Sequence, residues 1–388
     1  MDARFLLPGW LACTLFFHTS VFGQAAAVPP NAAPATPKGK MAAANIWLTD
    51  RVDELKMSQR GPFVRLADGS LLSIGSDPAF RSTDEGNSWQ VHARLNRQTD
   101  RFAIGVGRDI LRTRKGTIIV PFSNIKEQKW TWTPAIRDAP GATLPTYVIR
   151  TVDDGKTWLQ PQKLHGDWTG DNSAIIQTST GRVVLTTMNL LHNPGRHAVL
   201  TFYSDDEGKT WNKSHVLDLG GIGDHSGTME AALEELRDGR LWLLIRTNWG
   251  RFWNAYSTDG GQSWREIGPS TIDASTSPAF LRRLASGRIA MVWNRYLPQN
   301  VRDYPLSGGD GQTTDVPASW HRAELSLALS SDDGKTWTDP VVIARKPGGN
   351  LSYPHIFEVK PGRLWIHAQD GVACALNEAD FISKSPKR

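Results

Sequence analysis

From about residue 45 to its end, the chain is built from short runs in which apolar and polar residues alternate. Gly, Pro and Asp interrupt these runs at close intervals. Tyr147-Val-Ile-Arg150 and Leu325-Ser-Leu-Ala-Leu329 are strand-like runs of this length. Two-residue alternation over four to eight positions is the signature of strands with one face buried. No stretch sustains a long helical period, so the pattern predicts an all-β chain. At 388 residues it is long enough to bury the core of one large β domain.

One motif organises these strands. Ser/Thr-x-Asp-x-Gly-x-Ser/Thr-Trp occurs five times, at Ser82–Trp89, Thr151–Trp158, Ser204–Trp211, Ser257–Trp264 and Ser330–Trp337. The Asp carboxylate can accept from nearby backbone N–H groups and from the Ser/Thr hydroxyls. Gly supplies a positive φ, and the Trp is expected to turn inward between sheets. A second element, a turn ending in Gly, occurs six times: Leu66–Gly69, Thr113–Gly116, Thr178–Gly181, Leu236–Gly239, Leu284–Gly287 and Val359–Gly362. A repeated strand–turn–strand unit implies a radial architecture. The prediction is a six-bladed β-propeller over 45–388, with a strand near Asn45-Ile-Trp-Leu48 supplying the outer strand of the last blade.

With the strands of each blade lettered a to d, the Gly turn joins a to b and the Asp box joins c to d. These two turns lie at opposite ends of the blade. The start of strand a, the b–c loop and the crossovers therefore share the other end, which is the expected ligand mouth. The b–c loops of blades two and five are the long insertions, Ser123–Thr146 and Tyr296–Ala323. They carry Trp130, Trp132, Tyr304 and Trp320, suited to a carbohydrate-binding rim.

Composition changes the picture little. The net charge of +5 is a mild basic balance without a Lys/Arg run, which argues against nucleic acid. Residues 1–23 read as a secretory signal, with Arg4 ahead of the apolar run from Phe5 to Phe17; that run is too short to span a membrane. Leu11-Ala12-Cys13 resembles a lipoprotein cleavage box, against which Trp10 and the short preceding segment argue. Residues 24–44 are Ala/Pro-rich and read as a tether. A secreted or periplasmic monomer is expected, with no spanning segment after signal removal. Cys374 is then the only cysteine, so no intramolecular disulfide forms.

The first residues of strand a, read around the ring, place Arg60, Arg108-Asp109, Asp171-Asn172, Glu230, Ser277-Pro278 and Ser352-Tyr353-Pro354 at the mouth. Arg246 follows at the end of strand b in blade four, and Arg322 precedes strand c in blade five. At these residues the chain resembles the sialidases of the retaining exo-acting type, over nearly all of its length after the tether. Arg60-x-Pro62 before Leu66-x-Asp68-Gly69 is similar to the family's first-arginine motif. Glu230, Leu236-Arg-Asp238-Gly239-Arg-Leu241 and Arg246 look like its glutamate and second arginine. Arg322 before strand c looks like the third, and Tyr353 like the nucleophile.

The resemblance implies an exo-α-sialidase that releases terminal sialic acid from a glycan through a tyrosyl-enzyme, without a cofactor or metal. Three guanidiniums can grip a carboxylate. A neutral tyrosine avoids the repulsion that a carboxylate nucleophile would meet there. Glu230 serves as its base. The family's acid/base aspartate lies in the b–c loop of blade one, which here is only Gly75-Ser76-Asp77-Pro78. Asp77 is the candidate, with Asp167, Asp171 and Asp224 as alternatives on other mouth crossovers. Arg108, Arg251 and Arg295 are rivals for the arginine roles. His225 and His355 are supporting groups near the mouth. A Ca²⁺ held by loop carbonyls, another acidic sugar as the substrate of a glycosidase or lyase, and a non-catalytic glycan- or protein-binding propeller stay open.

Overall fold

The computed structural model describes residues 38–75, 77–106 and 109–382. The expected signal, residues 24–37 of the expected tether, and Arg108 lie outside these. The chain forms a six-bladed β-propeller of antiparallel sheets. Blade one comprises Phe63–Arg65, Leu71–Ser73, Ala79–Ser82 and Gln90–Ala93. The innermost strands of blades three to six are Ala174–Gln177, Ala231–Glu235, Phe280–Arg283 and His355–Lys360. Blade two differs: its inner strand is split into Ile104–Val106 and Leu111–Arg112, both paired with Ile118–Asn124.

The two repeated motifs close the blades with local chemistry. In five of the six Gly turns the first residue's N–H donates at 2.8 Å to the carbonyl four residues on, as from Leu66 to Ser70 and from Leu236 to Arg240. In the first Asp box, Ser88 donates from its backbone N–H to Asp84 Oδ1 at 2.9 Å and from its hydroxyl to Oδ2 at 2.6 Å. The Gly86 N–H donates to Ser82 Oγ at 2.8 Å. The same donors and acceptors recur around Asp153, Asp206, Asp259 and Asp332. These hydrogen bonds hold the Asp153 and Asp206 carboxyls down at about 2 against the cost of burial. Four box tryptophans donate Nε1–H to the carbonyl of their own box Gly. Trp264 is the exception; fully buried, it reaches Thr201 Oγ1 in the neighbouring blade.

The hydrophobic core lies between the blades rather than within them. One apolar cluster fills each seam; that between blades one and two holds Leu72, Ile118, Phe122 and Ile149, and that between four and five holds Trp242, Phe252 and Met291. At about 1.5–3 kcal/mol for each large apolar side chain buried, these seams hold the ring together. Cys374 lies in the seam cluster of blades five and six, where burial pushes its thiol up to about 12.

The chain's beginning departs from the expectation. Trp47–Thr49, the predicted outer strand of the last blade, instead pairs with Val341–Arg345 on the outside of blade five. Gly39–Met41, within the span expected to be tether, pairs with it in turn. The fourth strand of blade six is Asp53–Glu54, matched to Cys374 and Ala375. The richer β-forming run thus extends blade five, and a two-residue acidic strand fills the closing position.

The two insertions build a wall at the mouth. The blade-two insertion accepts the Gly195 N–H at the Arg137 carbonyl, Gly195 accepts from Gly223, and the next residues meet the blade-five insertion through Asp224 to Gln312 and His225 to Thr313. Ser226 donates to Asp315 at 2.6 Å. Trp130 and Trp132 do not form an open rim. They are half-buried in a separate cluster with Ala139, Leu144, Trp168 and Leu190 beneath the insertion.

Candidate active site

Four of the residues singled out in the sequence meet at the mouth. Glu230 immediately precedes the inner strand of blade four, and Arg246 follows strand Leu241–Ile245 of the same blade. The Arg246 N–H donates to the Glu230 carbonyl at 3.1 Å, and the Met229 N–H donates to the Arg246 carbonyl at 3.0 Å, which sets the Glu230 and Arg246 side chains side by side. Arg246 Nη1 donates to Glu230 Oε2 at 2.8 Å, and the two side chains are 2% and 6% exposed. Such a buried pair is held by geometry, since desolvation offsets much of its attraction. The other two nitrogens of Arg246 reach Thr276 Oγ1 at 3.2 and 3.1 Å. Burial disfavours the guanidinium charge, but the Glu230 carboxylate and the Tyr353 phenol raise its pKa.

Tyr353 donates its phenol to Glu230 Oε1 at 3.2 Å. Its φ is +55°, left-handed for a bulky side chain, and the following residue is Pro354. A residue before proline is driven toward extended backbone, so this conformation is held against preference at a cost of about 1–3 kcal/mol. Burial raises the phenol pKa, as does the negative charge of Glu230, while Arg246 and Arg322 pull it down. The phenol is therefore protonated at neutral pH and sits against the group that can take its proton.

Arg322 completes the group. Its guanidinium lies 5.7 Å from the Tyr353 ring centroid and 5.6 Å from that of Trp320. Nη2 donates to the Thr276 carbonyl at 2.9 Å, and Nη1 reaches Ser352 Oγ at 3.4 Å. Nε is buried without a hydrogen-bond partner among the described residues. Burial and the neighbouring Arg246 lower the Arg322 pKa. A half-buried guanidinium with spare donors beside a second cation is ready to receive an anion.

The contacts seen for Arg60 and Asp77 are with blade six and blade one. Arg60 is exposed, and its guanidinium lies by Gly371 of blade six, near enough to His367 to help lower the pKa of that imidazole. Asp77 accepts the Leu95 backbone N–H at 3.0 Å, which ties the short loop to the end of its own blade.

Among the alternatives, the Asp171 carboxylate is near enough to raise the Tyr353 pKa. Asp224 pairs with His225 at 3.1 Å, and the Asp167 side chain is largely exposed, 3.9 Å from His165. Arg295 is engaged by Asp273, and Arg251 is exposed. Among the described residues no group of three His, Cys, Asp or Glu side chains could hold a metal ion.

Asp109 has a role that sequence reasoning did not assign. It is buried at the floor of the mouth, where its Oδ1 accepts from Arg282 of blade five at 2.9 Å and lies 3.7 Å from His355 Nε2 of blade six. Burial works against its charge, and Arg282 and His355 hold its pKa below the usual value. The split inner strand of blade two delivers it there, a feature visible only in the pairing register.

The family model described as "BNR repeat-like domain" matches residues 131–366. A sialidase of Micromonospora viridifaciens is 27% identical over 187 residues, which are 47% of this chain and 25% of that protein, so the match spans a quarter of the relative's length. Among solved structures, a protein of unknown function from Dyadobacter fermentans superposes with a TM-score of 0.56 at 17% identity, over 84% of this chain and 98% of that one. The intramolecular trans-sialidase of Ruminococcus gnavus, bound to oseltamivir carboxylate, gives a TM-score of 0.55 at 13% identity, over 89% of this chain and 99% of that one. At these identities the superpositions establish the shared fold.

Proposed function

The chain belongs to the BNR repeat-like domain family, and from that premise we propose that it is a retaining exo-α-sialidase, acting on terminal α-ketosidic sialic acids of glycans. The observation that carries this reading is the Tyr353 phenol hydrogen-bonded to Glu230 at 3.2 Å, with Arg246 and Arg322 beside it. A glycan-binding module has no need of a strained tyrosine against a buried carboxylate.

In the reaction, Arg322 and Arg246 hold the substrate carboxylate. The Tyr353 oxygen attacks the anomeric carbon as its proton passes to Glu230, and the bond to the leaving oxygen breaks. The leaving oxygen takes a proton from an acid. Of the carboxyls considered, Asp171 is supported best for that role, because its charge reaches the phenol whereas Asp77 is tied to Leu95. Water then attacks the same carbon, gives its proton to the acid/base, and releases Tyr353 to recover the Glu230 proton. The sugar keeps its anomeric configuration after two displacements.

A second reading, a glycosidase or lyase for a different acidic sugar, is favoured by one observation: the Arg60 guanidinium lies by Gly371 of blade six, whereas Arg246 and Arg322 act on Tyr353. The test is release of fluorophore from a 4-methylumbelliferyl sialoside by the mature chain beside Tyr353→Phe. Turnover that collapses in the variant supports the sialidase. A folded parent without turnover overturns it and directs the assay to other acidic sugars. Secretion or export to the periplasm through the residue 1–23 signal is part of the same proposal.

A further inference from the structure

Tyr353 must keep an unfavourable backbone while its phenol stays aimed at Glu230, and the hydrogen bond at the phenol's tip cannot fix the backbone at its root. The residues that follow are Pro354, whose φ is locked by its ring, and His355, the first residue of the inner strand of blade six. Whatever fixes the His355 side chain therefore fixes Tyr353 through one rigid link.

His355 is buried, and its ring meets Phe280 of blade five edge-on at 4.9 Å and Phe63 of blade one at 6.4 Å. Its Nε2 faces Asp109 Oδ1 at 3.7 Å. Asp109 is itself fixed from three other directions. Arg282 donates to it from blade five, and Ile110 donates its N–H to Oδ1 at 3.0 Å. Ile175 of blade three donates to Oδ2 at 3.5 Å. Val106 pairs with Phe122 and Leu111 with Ile119, so the register of the inner strand of blade two gains two residues between these pairs and the strand bulges where Asp109 stands. Bulges of this kind re-aim a side chain beside a functional site.

We propose that Asp109 and His355 form a positioning pair for Tyr353: the bulge in blade two presents a buried carboxylate that anchors the His355 imidazole, and through Pro354 this anchor holds the nucleophile's strained backbone. Other charged and titratable groups beside the pair include Arg282 and His367, which stands opposite His355 across the strand pair and is itself near Arg60. The inference rests on the reading of Tyr353 as the nucleophile.

The test uses His355→Phe, a ring that its aromatic neighbours accommodate, and Asp109→Asn, which keeps the shape and removes the charge. The protein has six tyrosines, so 3-fluorotyrosine labelling gives a countable ¹⁹F spectrum in which Tyr353 is assigned by its loss in Tyr353→Phe. The expected result is that the Tyr353 resonance alone shifts or broadens in both variants, while the others report an intact fold. Against a sialoside, kcat should fall about 10–100-fold with KM within about twofold, the pattern of a misplaced nucleophile rather than a lost binding contact. A Tyr353 resonance unmoved in both variants overturns the proposal, as does a kcat within about threefold of the parent. If the parent turns over no sialoside, the functional reading fails, and the ¹⁹F comparison still decides the positioning role. Should His355→Phe not fold, Asp109→Asn decides it by the same reading.

Discussion

Replacing Glu230 with Gln removes one charge from the site and leaves its shape. Arg246 is then a guanidinium 2% exposed, with a hydroxyl at Thr276 and a neutral amide as its partners. Breaking a buried ion pair by removing one member costs about 3–5 kcal/mol, because the surviving charge stays desolvated. The glutamine oxygen can still accept from Nη1, so the lower end applies, about 3 kcal/mol, or roughly a hundredfold in the folding equilibrium. Urea unfolding is the assay. The midpoint should fall at constant slope, which shows that stability and not compactness has changed. The double variant Glu230→Gln/Arg246→Gln should recover at least half of the loss, since two neutral amides can bond each other. A single variant within about 1 kcal/mol of the parent, or a double variant that loses the sum of both singles, would refute the description of this pair as a coupled buried unit. The same Glu230→Gln protein should lose about 10²–10⁴-fold in turnover if Glu230 is the base for Tyr353.

Three further expectations follow from the geometry. Asp171→Asn should slow hydrolysis of a sialoside with a poor leaving group far more than one with an activated aryl leaving group; equal slowing of both removes Asp171 as the acid. Buried His197 and His367 are held down at about 4 and about 3, mainly by burial, below an ordinary 6.5. Because the unfolded chain takes up those protons first, stability is full above pH 6.5 and falls as pH drops toward 4 and 3. A second fall should come between about 4 and 2, as the Asp153 and Asp206 carboxyls protonate; a urea midpoint flat from pH 7 to 4 would contradict the first step. Gly334→Ala places a methyl 2.9 Å from the buried Trp242 ring at a φ of +80°, whereas Gly69→Ala at +86° meets nothing within 4 Å. The first should cost at least about 1 kcal/mol more than the second, because overpacking adds to the backbone strain they share; equal thermal shifts would show that the ring yields.

The legible parts of this chain are those whose chemistry is local. An Asp box and a Gly turn each satisfy their own hydrogen bonds within a few residues, so blade count and blade polarity could be read directly. Glu230, Arg246, Arg322 and Tyr353 were legible for the same reason, since each stands at a fixed offset from such a turn. Arg60 and Asp77 occupy comparable offsets, yet one lies by blade six and the other is held by Leu95. Side-chain direction in a crossover depends on the neighbouring blade, which local spacing does not encode. The strand assignment at the chain's beginning failed likewise: Trp47-Leu-Thr49 is the better β former, but its partner was chosen by blade five from nearly 300 residues away. Asp109 was visible as a mouth residue and its partners were not, because a bulge appears only once the register is known.

The pairing of Trp47–Thr49 with blade five, followed by Asp53–Glu54 with blade six, also has a meaning in time. Leu48 must wait for Ala344, its partner 296 residues later (344 − 48), before either can bury. At synthesis rates of about 5–20 residues per second, that wait is roughly 15–60 s. Throughout it the edge of Trp47–Thr49 that faces blade five lacks its partner and is open to association with other nascent chains. The ring is thus sealed by strands that are made before every blade and dock last. Chaperone dependence should therefore concentrate on these few residues, and a circular permutant beginning at blade one, with residues 38–58 moved behind blade six, would shorten the exposure without altering a single contact at the mouth.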